Sequence, residues 1–262
     1  MSTRSSTAGP ALGPPPFAPD WAFFLDVDGT LLELAEKPDQ VFVDAGLIRV
    51  LERLSRGTGG AVALISGRAL ADLDDLFAPL RPAAAGQHGI ERRDHGGVVH
   101  YHHQLDGKLD RTRALLTRLA EENPGLLIED KRYSVAIHYR GAPEKEAVVR
   151  AFLDEHMPAL EKDFHLQEGK MVFEIKPSGR DKGVAIGEFM QEAPFLGRTP
   201  VFIGDDVTDE DGFATVNGLH GHSIRVGDGM TAARRFLPGP RAVLTMLNDY
   251  LTYITRTREH QQ

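Results

Sequence analysis

The chain of 262 residues contains no cysteine. Disulfides, thiolate metal sites and thiol nucleophiles are excluded together, and the absence fits a cytoplasmic setting. Positive charge is also short: 30 Lys and Arg against 38 Asp and Glu give a formal charge of −8. A nucleic-acid surface needs clustered Lys and Arg, so no nucleic-acid partner is expected, and an anionic substrate would need a local positive site or a metal. No stretch approaches the roughly 20 continuous apolar residues of a membrane span, so no membrane partner is expected either. There is no internal repeat of fixed period. Residues 1–19 are rich in Pro, Ser and Gly, lack an apolar block of signal-peptide length and read as a flexible tail.

What remains is a chain with 41% hydrophobic content, enough to bury one large core or two modest ones. The most informative stretch is Trp21 to Leu32, WAFFLDVDGTLL. Its apolar run does not alternate with polar residues, as expected of a strand covered on both faces of a parallel sheet. Asp26 and Asp28 stand at its carboxyl end, where open α/β sheets bind ligands. Residues two apart on an extended strand share a side, Gly29 lets the chain turn away, and Thr30 can orient its neighbours. An Asx-type turn after a strand is the plainer alternative.

The arrangement then repeats. Asp44 caps a helix carrying Leu47, Ile48, Leu51 and Leu54, and a second buried strand, Ala61 to Ile65, ends in Ser66-Gly67-Arg68 before a helical pattern from Leu70. Ser66 is either a hydroxyl donor to an oxyanion or an ordinary helix cap. In GQHGIERRD, Gly86 and Gly89 bracket His88 and a charged turn is expected to follow. His100, Tyr101, His102 and His103 tempt a metal reading, but adjacent strand residues face opposite ways, and a structural role is expected.

From about Asp106 the pattern changes to helix, strand, strand, helix, strand, strand. Two helix-plus-hairpin units over roughly 70 residues make an inserted α+β layer of small-domain size. The chain returns through PSGRDKGVAIGEFM, where Lys182 opens a helix against the helix dipole. A third buried strand, Val201 to Gly204, then empties into Asp205, Asp206, Val207, Thr208, Asp209 and Glu210. Thr208 with Asp211 fits a capping box for the next helix, whose first turn suits Asp209 and Glu210.

Carboxylates from two strand ends would repel one another unless a hard cation lay between them, and oxygen ligands without cysteine point to Mg²⁺. A carboxylate beside Mg²⁺, a lysine and a hydroxyl suit phosphoryl transfer, with one aspartate attacking phosphorus and the other handling protons.

DVDGT, SGR, Lys182 and GDDVTDE, in this order, resemble the four motifs of the haloacid dehalogenase superfamily of aspartyl-phosphate phosphatases. The finer pattern LDVDGTLLEL, LISGR, GQHGIERRD, FEIKPSGRDKG and GDDVTDE is similar to the bacterial trehalose-6-phosphate phosphatase family, over almost all of the chain after the tail. The resemblance implies an α/β fold: a Rossmann-like parallel-sheet core of residues 20–105 and 177–262, with an α+β substrate-specificity cap at 106–176. It also implies hydrolysis of trehalose 6-phosphate, the last step of trehalose biosynthesis. Asp26 would be nucleophile and metal ligand; Asp28 would move protons, with its carbonyl on the metal. Ser66 would hold a phosphate oxygen, and Lys182 would neutralise nucleophile and phosphate. Asp205 would complete the Mg²⁺ site, with Asp206 or Asp209 acting directly or through water. Glu129, Arg132, Glu174 and Lys176 of the cap would grasp sugar hydroxyls, with Arg68 and His88 facing them; for Glu129 and Arg132 a solvated hairpin charge is an equal alternative. Another capped sugar-phosphate phosphatase acting on sucrose phosphate or mannosyl-phosphoglycerate, a phosphomutase, and a catalytically silent sugar-phosphate sensor are the alternatives to be tested.

Overall fold

The computed structural model describes residues 11–33, 41–102 and 107–260. Residues 1–10 of the expected tail, His103, and Asp106 at the expected start of the insert lie outside the described residues. In chain order the elements are β1 (Ala11–Leu12), β2 (Trp21–Leu25), α1 (Ala45–Gly57), β3 (Val62–Ile65), α2 (Leu70–Leu76), β4 (Ala83–Gly86), β5 (Glu91–Arg93) and β6 (Val99–Tyr101). Then follow α3 (Lys108–Glu122), β7 (Leu127–Asp130), β8 (Val135–His138), α4 (Glu146–His156), β9 (Phe164–Gly169) and β10 (Val172–Pro177). The chain closes with α5 (Lys182–Phe189), β11 (Thr199–Gly204), α6 (Glu210–Gly218), β12 (His222–Val226), β13 (Arg235–Leu237) and α7 (Pro240–Glu259). These form a mixed α/β protein of two compact units, one of residues 1–100 with 181–262 and the other of residues 101–180. The expected insert at 106–176 lies within the second.

The first unit is built on a nine-stranded sheet in the order β1-β13-β12-β11-β2-β3-β4-β5-β6. Its central pairs β11·β2, β2·β3 and β3·β4 are parallel, and β5 runs antiparallel to β4. All five residues of β2 are fully buried, and successive residues serve opposite faces. Trp21, Phe23 and Leu25 pack with α1 and α7 residues such as Leu51, Leu54 and Leu247, whereas Ala22 and Phe24 pack with Ile186 and Phe189 of α5 and Phe213 of α6. This two-sided cover explains the unbroken apolar run, and each large side chain so buried contributes roughly 1.5–3 kcal/mol. Asp44 caps α1 as expected, accepting from the backbone N–H of Leu47 at 3.2 Å.

Three expectations are corrected. Residues 11–19 do not hang free: β1 pairs in parallel with β13, and the Phe17 ring meets those of Trp21 and Tyr250 edge-on. A Pro-rich composition obscured contacts of which two, with β13 and Tyr250, have partners more than 200 residues away. The charged turn after Ile90 is instead the strand β5, whose three charges are buried. The capping box belongs to Asp206 and Asp209 around a short 3-10 turn, Val207–Asp209, not to Thr208 and Asp211.

The second unit is a four-stranded antiparallel sheet in the order β7-β8-β10-β9, covered on one side by α3 and α4. Val135, Ile137, Phe173 and Ile175 face Leu116 of α3 and Val149 and Leu153 of α4 in one cluster. The alternate residues of these strands therefore line the other face.

Candidate active site

Parallel registration brings three strand ends level. Leu25 lies beside Ile203 of β11 and Leu64 of β3, so Asp26 is level with Gly204 and Ile65, and Asp205 and Ser66 follow one residue further out at the same edge of the sheet. The Asp26 backbone N–H donates to the Ile203 carbonyl at 3.0 Å, extending the ladder past the last strand residue. Gly29 turns the chain at φ 83°, and a Cβ there would collide with the Asp205 carboxylate. A left-handed turn and a close approach are thus required together, which only glycine meets without strain. The neighbouring Thr30 hydroxyl, fully buried, donates to Asp205 Oδ1 at 3.3 Å.

Lys182 enters from α5 and is only 3% exposed. Its Nζ donates to Asp26 Oδ1 at 2.7 Å and to Asp209 Oδ1 at 2.6 Å. Gly183 permits this entry, because a Cβ there would strike the Asp211 carbonyl and Thr215 hydroxyl of α6. Asp181 caps α5 by accepting from Val184 N at 2.8 Å. The cation at the positive end of a helix is therefore answered by two buried carboxylates. Asp209 spends its other oxygen on the backbone N–H groups of Asp205 and Asp206, each at 2.9 Å. It thereby fixes Lys182 and the loop bearing Asp205 at once.

The electrostatics follow from this crowding. Burial raises the Asp26 carboxyl well above the ordinary range, opposed by Lys182 and reinforced by Asp209 and Asp205. Burial, with the Asp209 charge, pushes Asp205 up to about 6. Burial alone would lower Lys182, but Asp26 and Asp209 outweigh it and hold the ammonium charged. One oxygen each of Asp26, Asp205 and Asp209 lie within 4.8 Å of one another. An oxygen-only cluster with more negative than positive charge fits a hard divalent cation such as Mg²⁺. Asp28 and Asp206 are outside this cluster. The exposed Asp206 side chain accepts from Val207 N at 2.6 Å as a cap, which accounts for its presence.

The Ser66 hydroxyl is buried and accepts from Arg68 N at 3.1 Å, while α2 begins later with Ala69 as its cap residue. Ser66 is not the helix cap. Arg68, expected to face the substrate, grips Asp28 with both arms of its fork, Nε and Nη2 each 2.7 Å from a carboxylate oxygen. His88 sits in a left-handed turn with φ 55°, its ring Nε2 2.9 Å from where a Cβ on Gly67 would stand. The core residues named from sequence are thus gathered at one sheet edge, with Arg68 on a proton-handling candidate.

In the second unit the register aligns Glu129, Ala136, Glu174 and Gln167 in one row across β7, β8, β10 and β9, on the face opposite the helices. Lys176, two residues after Glu174, belongs to the same face and is buried. Glu174 accepts from the Ser134 hydroxyl at 2.6 Å and pairs with Lys131 at 3.4 Å; His138 Nε2 lies 2.9 Å from Glu129. Sequence reasoning missed Lys131 and Ser134. The signal was available for Lys131, which follows Glu129 by two and shares its side. Arg132 goes elsewhere: at φ 71° it is exposed, its guanidinium 5.3 Å from the Tyr133 ring and 6.0 Å from that of Tyr101.

This constellation can be compared with known proteins. The trehalose-phosphatase family model matches residues 24–238, from β2 through β13. The chain belongs to the trehalose-phosphatase family. It is 43% identical over 248 residues to the trehalose-6-phosphate phosphatase of Escherichia coli (strain K12), covering 95% of this chain and 93% of that one. It is also 43% identical over 237 residues to a probable trehalose-phosphate phosphatase of Sinorhizobium fredii, covering 87% and 89% of the two chains. Among solved structures, a trehalose-6-phosphate phosphatase related protein superposes with a TM-score of 0.74 at 26% identity, over 90% of this chain and 99% of that one. Family membership makes this trehalose-phosphatase relative a phosphoric monoester hydrolase, and no described helix is long and apolar enough to cross a membrane.

Proposed function

We propose that this protein hydrolyses trehalose 6-phosphate to trehalose and inorganic phosphate in the cytoplasm, with Mg²⁺ as cofactor and Asp26 as nucleophile. The observation that carries this reading is the buried Lys182 bridging Asp26 and Asp209 beside Asp205, in a chain of this family. An oxygen of Asp26 forms a bond to phosphorus as the bond to the sugar oxygen breaks, leaving an aspartyl phosphate. Asp28 gives the departing sugar oxygen its proton, then takes one from the water that attacks the aspartyl phosphate, so phosphate leaves and both aspartates are restored. Asp28 is held in a two-armed pair by Arg68, with both oxygens accepting, so release from that fork and uptake of a proton from solvent precede its donation to the sugar oxygen.

Lys182 and Ser66 hold the phosphoryl oxygens, and Asp209 keeps Lys182 aimed. Asp26 and Asp205 would hold Mg²⁺, with the Asp28 carbonyl completing the protein's share; Asp209, already bonded to three donors, would act on Mg²⁺ through the loop it fixes. Bound there, Mg²⁺ supplies charge neutralisation for the transferring phosphoryl group. The second unit would act as the specificity cap, with Glu129, Lys131, Glu174 and Lys176 on a polar sheet face that can pair with sugar hydroxyls.

A panel of sugar phosphates assayed for phosphate release with Mg²⁺ tests the assignment. Trehalose 6-phosphate should be preferred over glucose 6-phosphate and sucrose 6-phosphate. Release from trehalose 6-phosphate no faster than from glucose 6-phosphate would overturn it, interconversion of isomers without net release would indicate a mutase, and tight binding without release would indicate a sensor.

A further inference from the structure

The strand β5, between β4 and the edge strand β6, holds three consecutive charged residues, Glu91, Arg92 and Arg93, none more than 7% exposed. Burying such groups is unfavourable unless each is paired. Here each is, and strand alternation divides them between two helices. Glu91 Oε2 accepts from Leu70 N at 2.9 Å, at the first residue of α2, and Arg93 pairs with Asp74 of α2 at 2.7 Å. Arg92 points to the other face, pairs with Glu188 of α5 at 3.1 Å and with Glu192, and lies 4.9 Å over the Phe189 ring. The helix gripped on one side follows directly from Ser66–Arg68; the helix gripped on the other begins at Lys182.

The cap position of α2 is Ala69, whose side chain accepts nothing. A Ser or Asp there would accept from the second or third N–H of the helix; Glu91, 21 residues on, instead takes the first, that of Leu70. The other flank of the loop is bonded to the exit of β4, through Gln87 N to Arg68 O at 2.8 Å and His88 N to Ser66 O at 3.0 Å. A local cap would stabilise α2 alone. A cap supplied from β5 also fixes where α2 and its preceding loop stand against the sheet.

We propose that Glu91 is a positioning residue of the phosphate site: by capping α2 from β5 it sets the location of Ser66 and Arg68, while Arg92 anchors the helix that carries Lys182. The proposal rests on the phosphatase reading of this site and deepens it. The test compares wild type, Glu91→Ala, Glu91→Gln and the double variant Glu91→Ala/Ala69→Ser, with Mg²⁺, on p-nitrophenyl phosphate. Inorganic phosphate serves as competitive inhibitor, and Tm is measured in parallel. Glu91→Ala should weaken phosphate inhibition and lower kcat, each by about tenfold, the scale of a lost cap expressed at the site. Glu91→Gln keeps an acceptor oxygen and should stay within about threefold of wild type. The double variant, which caps α2 locally, should regain Tm without regaining phosphate affinity. Wild-type phosphate inhibition in folded Glu91→Ala, or recovery of inhibition together with Tm in the double variant, would overturn the proposal. If Glu91→Ala does not fold, the double variant with its own cap gives the same reading. Failure of the wild type on trehalose 6-phosphate would sink the substrate assignment alone, because the aryl ester and inorganic phosphate need no sugar contacts.

Discussion

The two polar surfaces of this molecule are built on opposite terms. At the core edge Lys182, Asp26 and Asp209 are each at most 6% exposed by side chain and joined at 2.6–2.7 Å, with backbone N–H groups completing Asp209. On the polar face of the four-stranded sheet the pairs are more exposed: Glu129 is 40% exposed, 2.9 Å from His138 and 3.9 Å from Lys131, which is itself 24% exposed. The first arrangement places charge before any ligand arrives, as stabilisation of developing charge in phosphoryl transfer demands. The second leaves donors and acceptors in contact with water and able to exchange partners. On the proposed function, generic chemistry is pinned, and selectivity would be carried by groups that lose water only when the right hydroxyls replace it.

The strongest way to break this contrast is at the pinned end. Asp26→Asn should lower phosphate release by at least about 10⁴-fold and abolish acid-stable phosphate on the protein, because the proposed nucleophile would have no substitute. Retained turnover would remove Asp26 from that role. Lys182→Met comes next. It leaves Asp26 and Asp209 buried beside each other without their cation, and the loss of one partner of a buried pair costs about 3–5 kcal/mol. Denaturant unfolding without metal should record a loss of this order. A loss under 1 kcal/mol would mean that the Lys182 bridge is not the element that pins the edge.

On the more exposed surface, Glu174→Ala should reduce kcat/KM for trehalose 6-phosphate roughly 10- to 100-fold, the range for a charge-assisted hydrogen bond left unmade. Hydrolysis of p-nitrophenyl phosphate should stay near wild type. Equal losses on both substrates would erase the division of labour between the two surfaces.

How much of this was legible depended on how far apart the partners lie. The strand β2 and the two aspartates after it were readable because a doubly covered strand announces itself as an unbroken apolar run, and Asp26 follows it at once. The burial of Lys182 was not, since its partners stand 156 and 27 residues away. Locally it looked like an ill-placed surface charge, and that misfit was the only trace. Glu91–Arg93 looked like a turn for the same reason: three adjacent charges are buried only because α2 and α5 bring Leu70, Asp74 and Glu188 to them. At the third strand end two overlapping patterns, Thr208 with Asp211 and Asp206 with Asp209, both satisfied the capping rule. Asp209 belongs to the earlier one because it must also reach Lys182. The strands β1 and β13, of two and three residues, carry too few side chains to show a period.

The smallest predicted effect concerns protons. Asp205, whose ordinary value is 3.8, stands at about 6 in the folded protein, and Asp26 is raised as well. Between those limits the folded state holds a proton that the unfolded chain has released, so metal-free stability should fall as pH rises from about 4 to 6. Mg²⁺ held as proposed would reverse this preference, since it would bind the carboxylates only after they lose their protons. Its affinity, measured by calorimetry, should therefore drop about tenfold per pH unit below 6 for each proton expelled, and level off above the range where both acids have ionised. Asp205→Asn should weaken Mg²⁺ binding and flatten the slope. An affinity independent of pH between 5 and 8 would mean that these carboxylates are already settled without a cation, and the core edge would then be no more dependent on its ligand than the sheet face of the second unit.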